Sequence, residues 1–215
     1  MAGWLVLIPT AIELQYFPAE VRARIEASGG HIKISGFGPI ASAVQTANLI
    51  TKHRPSHIVL CGVAGAFKQR LVIGEAYRFD QVACYGIGAG CGANFQTATE
   101  LGWQQFCEYG SASTAISDTI QLASSTITHE PILLLTVCAA SSDTQDVELK
   151  LKKFPTAAAE DMEAFSVAVA CQSAGLPLHI VRGISNQAGD RDHRNWRIER
   201  AMQSAASIVE EIICS

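Results

Sequence analysis

Two polar residues in the last third of the chain have types and positions that suit chemistry on a bound ligand. Glu163 is the only fully charged residue between positions 162 and 181, and it opens a predicted apolar helix. Asn186 leaves the carboxyl end of the next predicted strand, where ligands of open α/β sheets bind. A carboxylate can stabilise positive charge on a substrate, and a carboxamide can donate a hydrogen bond to a group that becomes negative. The two residues therefore mark a candidate active site.

Each of these residues also has an ordinary structural interpretation. A carboxylate in the first turn of a helix gains roughly 0.3–1 kcal/mol from the helix dipole, which could account for Glu163. Asparagine after a strand is often a turn former that hydrogen-bonds to its own backbone, which could account for Asn186. Neither residue alone decides between catalysis and structure.

Three other segments contain candidates of lower specificity. Residues 61–66 form a glycine-rich turn after a strand, where the backbone could approach a ligand or pack tightly on a helix. Thr10 and Glu13 have the T-x-x-E spacing of a capping box, in which the two side chains satisfy free amides at a helix start. Residues 36–41 resemble a dinucleotide fingerprint. The acidic residue expected about 20 positions later is missing, so a nicotinamide-dependent oxidoreductase is a weak alternative.

Strand-like and helix-like apolar runs alternate along the chain. Strands are predicted at residues 4–8, 31–34, 57–61, 75–84, 132–137 and 178–184. Helices are predicted at residues 12–28, 40–52, 114–126, 145–153, 162–174 and 195–213. This alternation predicts an α/β fold with a mostly parallel, twisted central sheet and helices on both faces. The 215 residues fit one domain, and the glycine-rich residues 86–92 could be a lid or a connector.

The composition limits the classes of function. A formal net charge of -4 argues against a nucleic-acid surface, which needs clustered Lys and Arg. No apolar run reaches the roughly 18 residues of a membrane span, and residues 4–8 lack the basic flank of a signal peptide, so we expect a cytoplasmic protein. The six histidines are dispersed along the chain, and the seven cysteines show no C-x-x-C spacing. We therefore expect no metal and mostly buried, free thiols.

Five segments occur in an order and with spacings that resemble one protein family. They are Ser35-Gly36-Phe37-Gly38, Gly62-Val63-Ala64-Gly65-Ala66, Ile73-Gly74-Glu75, Asp161-Met162-Glu163-Ala164 and Arg182-Gly183-Ile184-Ser185-Asn186. Together they resemble the nucleoside phosphorylase and nucleosidase superfamily, which includes methylthioadenosine/S-adenosylhomocysteine nucleosidase, over nearly the whole chain. Residues 184–196 are most similar to the ending of the futalosine hydrolase subgroup.

The resemblance implies a role for each matching residue. Glu163 would bind the 2′- and 3′-hydroxyls of a ribose, with Met162 packed beneath the sugar and Asp161 also at the substrate. Asn186 would hold the purine, and Glu13 would orient or deprotonate the attacking water. The backbone at Val63, Ala64 and Gly65 would line the site beside the ribose and base.

The resemblance also implies an activity. It favours a cofactor-free, homo-oligomeric nucleosidase, a dimer or larger, that hydrolyses futalosine to hypoxanthine in the futalosine route to menaquinone. Hydrolysis is favoured over phosphorolysis because Leu60 and Val63 stand where related phosphorylases have a phosphate-binding arginine and serine. A cation from residues 191–197 or Lys68 could meet the benzoate-like anion of futalosine. The alternatives are a nucleosidase for methylthioadenosine or another purine nucleoside, and a non-catalytic nucleoside-binding protein.

Overall fold

A computed structural model of the chain describes residues 3–106, 115–122 and 131–214. Its strands are β1 (Trp4–Ile8), β2 (His31–Ile34), β3 (His57–Ala66), β4 (Ala76–Phe79), β5 (Gln81–Tyr85), β6 (Gly88–Ala89), β7 (Gln96–Thr97), β8 (Thr119–Gln121), β9 (Leu133–Val137), β10 (Ala157–Asp161) and β11 (Leu178–Gln187). Its α-helices are α1 (Ala11–Tyr16), α2 (Ala19–Ala27), α3 (Pro39–His53), α4 (Thr144–Lys153), α5 (Ala164–Ser173) and α6 (Ile198–Cys214).

Most strands form one sheet whose neighbours run mainly parallel. The order is β2-β1-β3-β10-β9-β5-β8, and β11 pairs with β3 on one side and with β4 on the other. The pairs β1/β2, β1/β3, β3/β11, β9/β10 and β5/β9 are parallel. The pairs β3/β10, β4/β11 and β5/β8 are antiparallel. The predicted α/β class with a mostly parallel sheet is confirmed.

Alternating side chains of β1 pack in two different hydrophobic clusters, because successive residues of a strand point to opposite faces. Leu5 of β1 packs in a cluster with Phe165 of α5, whereas Val6 packs in another cluster with Met202 of α6. Helices therefore cover both faces of the sheet, as predicted. The backbone of α6 lies very close to β11, where a Cβ on Gly183 would be 2.1 Å from the Ala201 carbonyl oxygen.

The helix predicted at residues 12–28 is wrong as a single element. It is interrupted at Phe17 and Pro18, between α1 and α2. Proline has no amide hydrogen and disfavours the helical conformation in the residue before it, and Phe17 is accordingly extended, with φ -76° and ψ 120°. The break makes α1 a short helix directly after β1.

Two further predictions of elements are wrong, and four strands were not predicted: β6, β7, β8 and β10. The strand expected at residues 75–84 is divided at Asp80, because β4 pairs with β11 whereas β5 pairs with β9 and β8. The helix expected at residues 114–126 contains β8, and residues 114 and 123–126 lie outside the described residues. Strand β10 was missed. The glycine-rich residues 86–92 include β6, which pairs with β7, and their role as a lid stays a prediction.

Three strands, β1, β10 and β11, pair with β3 and end near its carboxyl end. Beyond the last residues of β1, strand β10 takes the place next to β3 by pairing with Gly65 and Ala66. On the other side of β3, β11 has a register shift between Ile184 and Asn186, so that Ser185 is an extra residue in the ladder. Such a β-bulge changes the direction of the side chains that follow it.

Candidate active site

One cavity of about 310 Å³ lies where β1, β3, β10 and β11 end. It is lined by every site residue proposed from the sequence: Glu13, Val63, Ala64, Gly65, Asp161, Met162, Glu163 and Asn186. Residues separated by up to 173 positions, from 13 to 186, thus line the same cavity. The structure brings the proposed residues together, while their roles stay predictions.

Glu13 is buried at the start of α1, with 7% of its surface exposed. Thr10 caps this helix, because its hydroxyl accepts a hydrogen bond from the Glu13 amide at 3.2 Å, as the capping-box pattern predicts. The Glu13 carboxylate has other partners. Its Oε2 accepts from the Thr10 hydroxyl at 2.6 Å, and its Oε1 accepts from the Val63 amide at 3.0 Å. The acid is therefore held against β3 at the cavity wall.

A fully buried arginine, to which the sequence assigns no role, forms ion pairs with two of these acids. Arg182 lies in the middle of β11, and its Nη2 forms ion pairs with Asp161 and, at 3.3 Å, with Glu163. A Cβ on Gly62 would lie 2.0 Å from Arg182 Nη1 and 2.7 Å from Glu13 Oε1, so only glycine leaves room for the guanidinium. Buried carboxylates need such a partner, because an unpaired buried charge is strongly destabilising.

The Glu163 carboxyl has an unusual protonation equilibrium. Burial raises its pKa from 4.5 to about 7; Arg182 opposes this rise, and the neighbouring carboxylates Asp161 and Glu13 add to it. The Gly38 amide, at the start of α3, also stabilises the ionised form by donating to Oε1 at 3.0 Å. Glu163 precedes α5 but makes no side-chain capping bond there. A helix cap therefore does not account for this residue.

The Asp161 carboxylate is hydrogen-bonded to groups within the protein. Its Oδ1 accepts from the Thr136 hydroxyl at 2.6 Å, and its Oδ2 accepts from the Ala164 amide at 2.9 Å as well as from Arg182. Thr136 in turn accepts from the Phe165 amide at 2.8 Å. Asp161 thus supplies the hydrogen bonds at the start of α5 and anchors Arg182, while its contact with substrate stays a prediction.

Asn186 presents its carboxamide to the cavity in a defined orientation. Its Nδ2 donates to the Gln187 carbonyl at 2.7 Å, and its Oδ1 accepts from the Ser185 hydroxyl at 2.7 Å. Ser185 lies 3.3 Å from the Ala64 carbonyl, so its single proton is better placed on Asn186. An amide nitrogen carries two hydrogens. The second N–H of Asn186 is therefore available to a ligand.

A second buried ion pair lies beside the cavity and was missed in the sequence. Lys150 of α4 donates to Glu160 Oε2 at 2.8 Å, to the Ser141 hydroxyl at 2.8 Å and to the Ala139 carbonyl at 3.0 Å. Glu160 also accepts from the Ser141 amide at 2.7 Å. This network holds the loop after β9 against β10, and Ala140 of that loop lines the cavity.

The rim of the cavity carries an aromatic residue and a cation from the segment after β11. Trp196 and Arg191 both line the cavity, and the Arg191 guanidinium carbon is 5.3 Å from the centre of the indole ring. The indole N–H donates to the Asp190 carbonyl at 3.1 Å, which orients the ring. Lys68, the other cation considered from the sequence, is not among the lining residues.

Residues 3–106, 115–122 and 131–214 contain no group of three or more His, Cys, Asp or Glu side chains arranged to hold a metal ion. None of the helices in these segments combines the length and the apolar character that a membrane crossing needs.

The six cysteines in the same segments are free; three are buried (Cys61, Cys84 and Cys171) and three exposed (Cys91, Cys138 and Cys214), whereas Cys107 lies outside the described residues.

Comparison with known proteins assigns the family. The family model of the phosphorylase superfamily matches residues 20–214. The chain belongs to the phosphorylase superfamily. The resemblance found in the five sequence segments is thereby confirmed.

Relatives of this superfamily member carry two kinds of name. It is 28% identical over 189 residues to the 5′-methylthioadenosine/S-adenosylhomocysteine nucleosidase of Psychromonas ingrahamii, covering 83% of this chain and 78% of that protein. It is 27% identical over 189 residues to the futalosine hydrolase of Streptomyces coelicolor, covering 86% of this chain and 78% of that protein.

Solved structures of the superfamily share the fold. The 5′-methylthioadenosine/S-adenosylhomocysteine nucleosidase of Colwellia psychrerythraea, in complex with adenine, matches with a TM-score of 0.76 and 18% identity over 100% of this chain and 96% of that chain. The futalosine hydrolase of Helicobacter pylori matches with a TM-score of 0.75 and 16% identity over 99% of this chain and 97% of that chain.

Proposed function

We propose that the protein is a purine nucleosidase that hydrolyses the N-glycosidic bond of futalosine and releases hypoxanthine, in the futalosine route to menaquinone. The observation that carries the proposal is that Glu13, Glu163 and Asn186 line the same cavity and that both acids are buried. The names of the relatives, nucleosidases and a futalosine hydrolase, support the reaction class.

The chemistry gives each acid a task. When the bond between ribose C1′ and the purine nitrogen breaks, positive charge develops on the sugar and negative charge on the purine. Ionised Glu163 accepts hydrogen bonds from the ribose hydroxyls and stabilises the positive sugar. Glu13 takes one proton from a water whose oxygen bonds to C1′, and the departing purine anion gains its proton from solvent.

The carboxamide at position 186 favours a 6-oxopurine as the leaving group. The free N–H of Asn186 can donate to the purine, but an amide does not give up a proton near neutral pH, so the base must leave as a stabilised anion. The carbonyl group of hypoxanthine delocalises that negative charge, and adenine has no such group. Asn186 therefore supports hypoxanthine release over adenine release.

Hydrolysis is supported over phosphorolysis by the residues on β3. Leu60 is fully buried in the core, and Val63 offers only an apolar side chain to the cavity. Neither side chain can bind a phosphate anion, which needs positive charge or hydrogen-bond donors. Water is the nucleophile that this arrangement favours.

Turnover by the purified protein tests the proposal. Chromatography should show hypoxanthine released from futalosine faster than adenine is released from methylthioadenosine. Glu13→Gln should lower kcat by about 10²–10⁴-fold, as loss of a positioned base does. Glu20→Gln, a change at an exposed glutamate of α2, is the matched control.

Two other results would replace the proposal. Adenine as the dominant product would make the protein a methylthioadenosine-type nucleosidase, the second candidate, which the 28% identical relative favours. Tight binding of intact futalosine without turnover, unchanged by Glu13→Gln, would indicate a non-catalytic nucleoside-binding protein.

The proposal includes a homo-oligomer in the cytoplasm. Apolar side chains at and near the cavity mouth are exposed, at 61% for Ile12, 65% for Phe37 and 82% for Ile40, and a second subunit would cover such a surface. Sedimentation of wild type and Ile40→Glu tests this, and a monomeric wild type would contradict it. Free cysteines among the described residues support a compartment in which thiols stay reduced.

A further inference from the structure

Among the described residues, Arg191 has no recorded carboxylate partner, unlike nearby Arg194 and Arg200. In the described part of the chain, the recorded contact of its guanidinium is the ring of Trp196, at 5.3 Å. Nearby Arg194 and Arg200 each form an ion pair with a carboxylate at 2.6 Å. Arg191 is also exposed and lines the candidate active-site cavity. It is thus a cation at the rim that is free to meet a ligand.

The charge distribution in the cavity determines where an anionic group of a ligand can lie. The inner wall carries the buried acids Glu13, Asp161 and Glu163, and among the described residues Arg182 is the cation that forms ion pairs with Asp161 and Glu163. Like charges repel strongly in a poorly solvated site. A negatively charged substituent is therefore excluded from the inner wall and is attracted to Arg191.

The structure provides space for an aromatic substituent next to Arg191. A second cavity of about 450 Å³ shares Trp196 and Ile198 with the first and is also lined by Tyr16 and His193. The imidazole of His193 stacks on the indole, with ring centres 4.3 Å apart and 18° between the planes. A substituent leaving the ribose can pass along this aromatic surface, and a methylthio group would not need it.

We propose that Arg191 is a specificity-determining residue that selects nucleosides whose ribose carries a carboxylate-terminated substituent. Resting on the proposed function, the inference assigns the aryl carboxylate of futalosine to the guanidinium of Arg191 and its aromatic part to Trp196. Arg191 binds the substrate at a distance from the reacting bond. It therefore contributes to KM and leaves kcat nearly unchanged.

Comparison of futalosine with its carboxyl methyl ester isolates this contact. Hydrogen bonds to charged groups contribute enough for about a tenfold effect at an exposed site. We expect Arg191→Gln to raise KM for futalosine about tenfold with little change in kcat, and to change KM for the ester less than twofold. Arg191→Lys should recover part of the loss, because it retains the charge. Arg194→Gln, which removes a paired cation outside the cavity lining, is the matched control.

The outcomes separate this inference from the proposed function. A wild type that uses the acid and the ester equally well, or an Arg191→Gln variant that loses both equally, overturns the role of Arg191 and leaves futalosine hydrolysis intact. A KM defect for the acid in Arg197→Gln but not in Arg191→Gln overturns it as well, since Arg197 lines only the second cavity. Release of hypoxanthine from neither compound by wild type overturns the proposed function together with this inference.

Discussion

Replacing Glu163 by glutamine should change how the stability of the protein depends on pH. The folded protein holds the Glu163 proton with a pKa of about 7, against 4.5 for the unperturbed group, because the ion is buried. The folded state thus binds this proton more tightly than the unfolded state does, so the contribution of Glu163 to stability falls as the pH rises from 4.5 to about 7. At about 1.4 kcal/mol per pH unit, the full loss is about 3 kcal/mol.

Urea denaturation of wild type and Glu163→Gln at several pH values measures this effect, since urea does not screen charges. The free energy of unfolding of the variant, relative to wild type, should increase by about 3 kcal/mol between about pH 4 and about pH 8. Glu26→Gln, at an exposed position of α2, is the matched control. A difference between variant and wild type that stays constant with pH, or that moves in the opposite direction, would refute the burial of an unusually basic carboxyl at this site.

Three further results are expected. Gly62→Ala should destabilise the fold by about 2 kcal/mol or more, because its Cβ would overlap Arg182; a thermal melt like that of wild type would contradict the packing described. Lys150→Met should cost about 3–5 kcal/mol in urea denaturation by leaving Glu160 unpaired, and adding Glu160→Leu should restore most of it; a double variant as unstable as the single one would disprove the pairing. Burial raises the pKa of three thiols to about 12. Peptide mass spectrometry after iodoacetamide treatment at about pH 8 should therefore show these thiols unmodified, while exposed cysteines react. Rapid labelling of the three thiols in the folded protein would contradict their burial. These thiols are Cys61, Cys84 and Cys171.

The sheet could be predicted where the pattern of the sequence is local. The bounds of β1 and β2 agree with the predictions, since short apolar runs are bounded there by turn or helix signals. Strand β10 could not be predicted in this way. Its residues, Ala-Ala-Ala-Glu-Asp, have low strand propensity, and only its pairing with β9 and β3 makes it a strand. Tertiary contacts decide such a segment.

The candidate site was predictable to a similar extent. Glu163 is a single charge in an apolar stretch of sequence, and Arg182, a charge inside an apolar strand, shows the same signal. Lys150 could not be recognised, because it lies with Lys152 and Lys153 in the last turn of a helix, where lysines usually face solvent and stabilise the dipole. Its partner Glu160 comes from another element, so no local pattern shows the pair.

The extra residue in β11 separates two functions of one strand. In a regular strand the alternation of side chains ties every position to the one before it, but the bulge at Ser185 frees Asn186 from the alternation that places Arg182 under the acids. Under the proposed function, the residue that meets the base can therefore be exchanged without repacking the residues that support the sugar. If Asn186 contacts the base as proposed, substitution at position 186 alone offers this fold a route from one departing base to another, with the proposed ribose contacts retained.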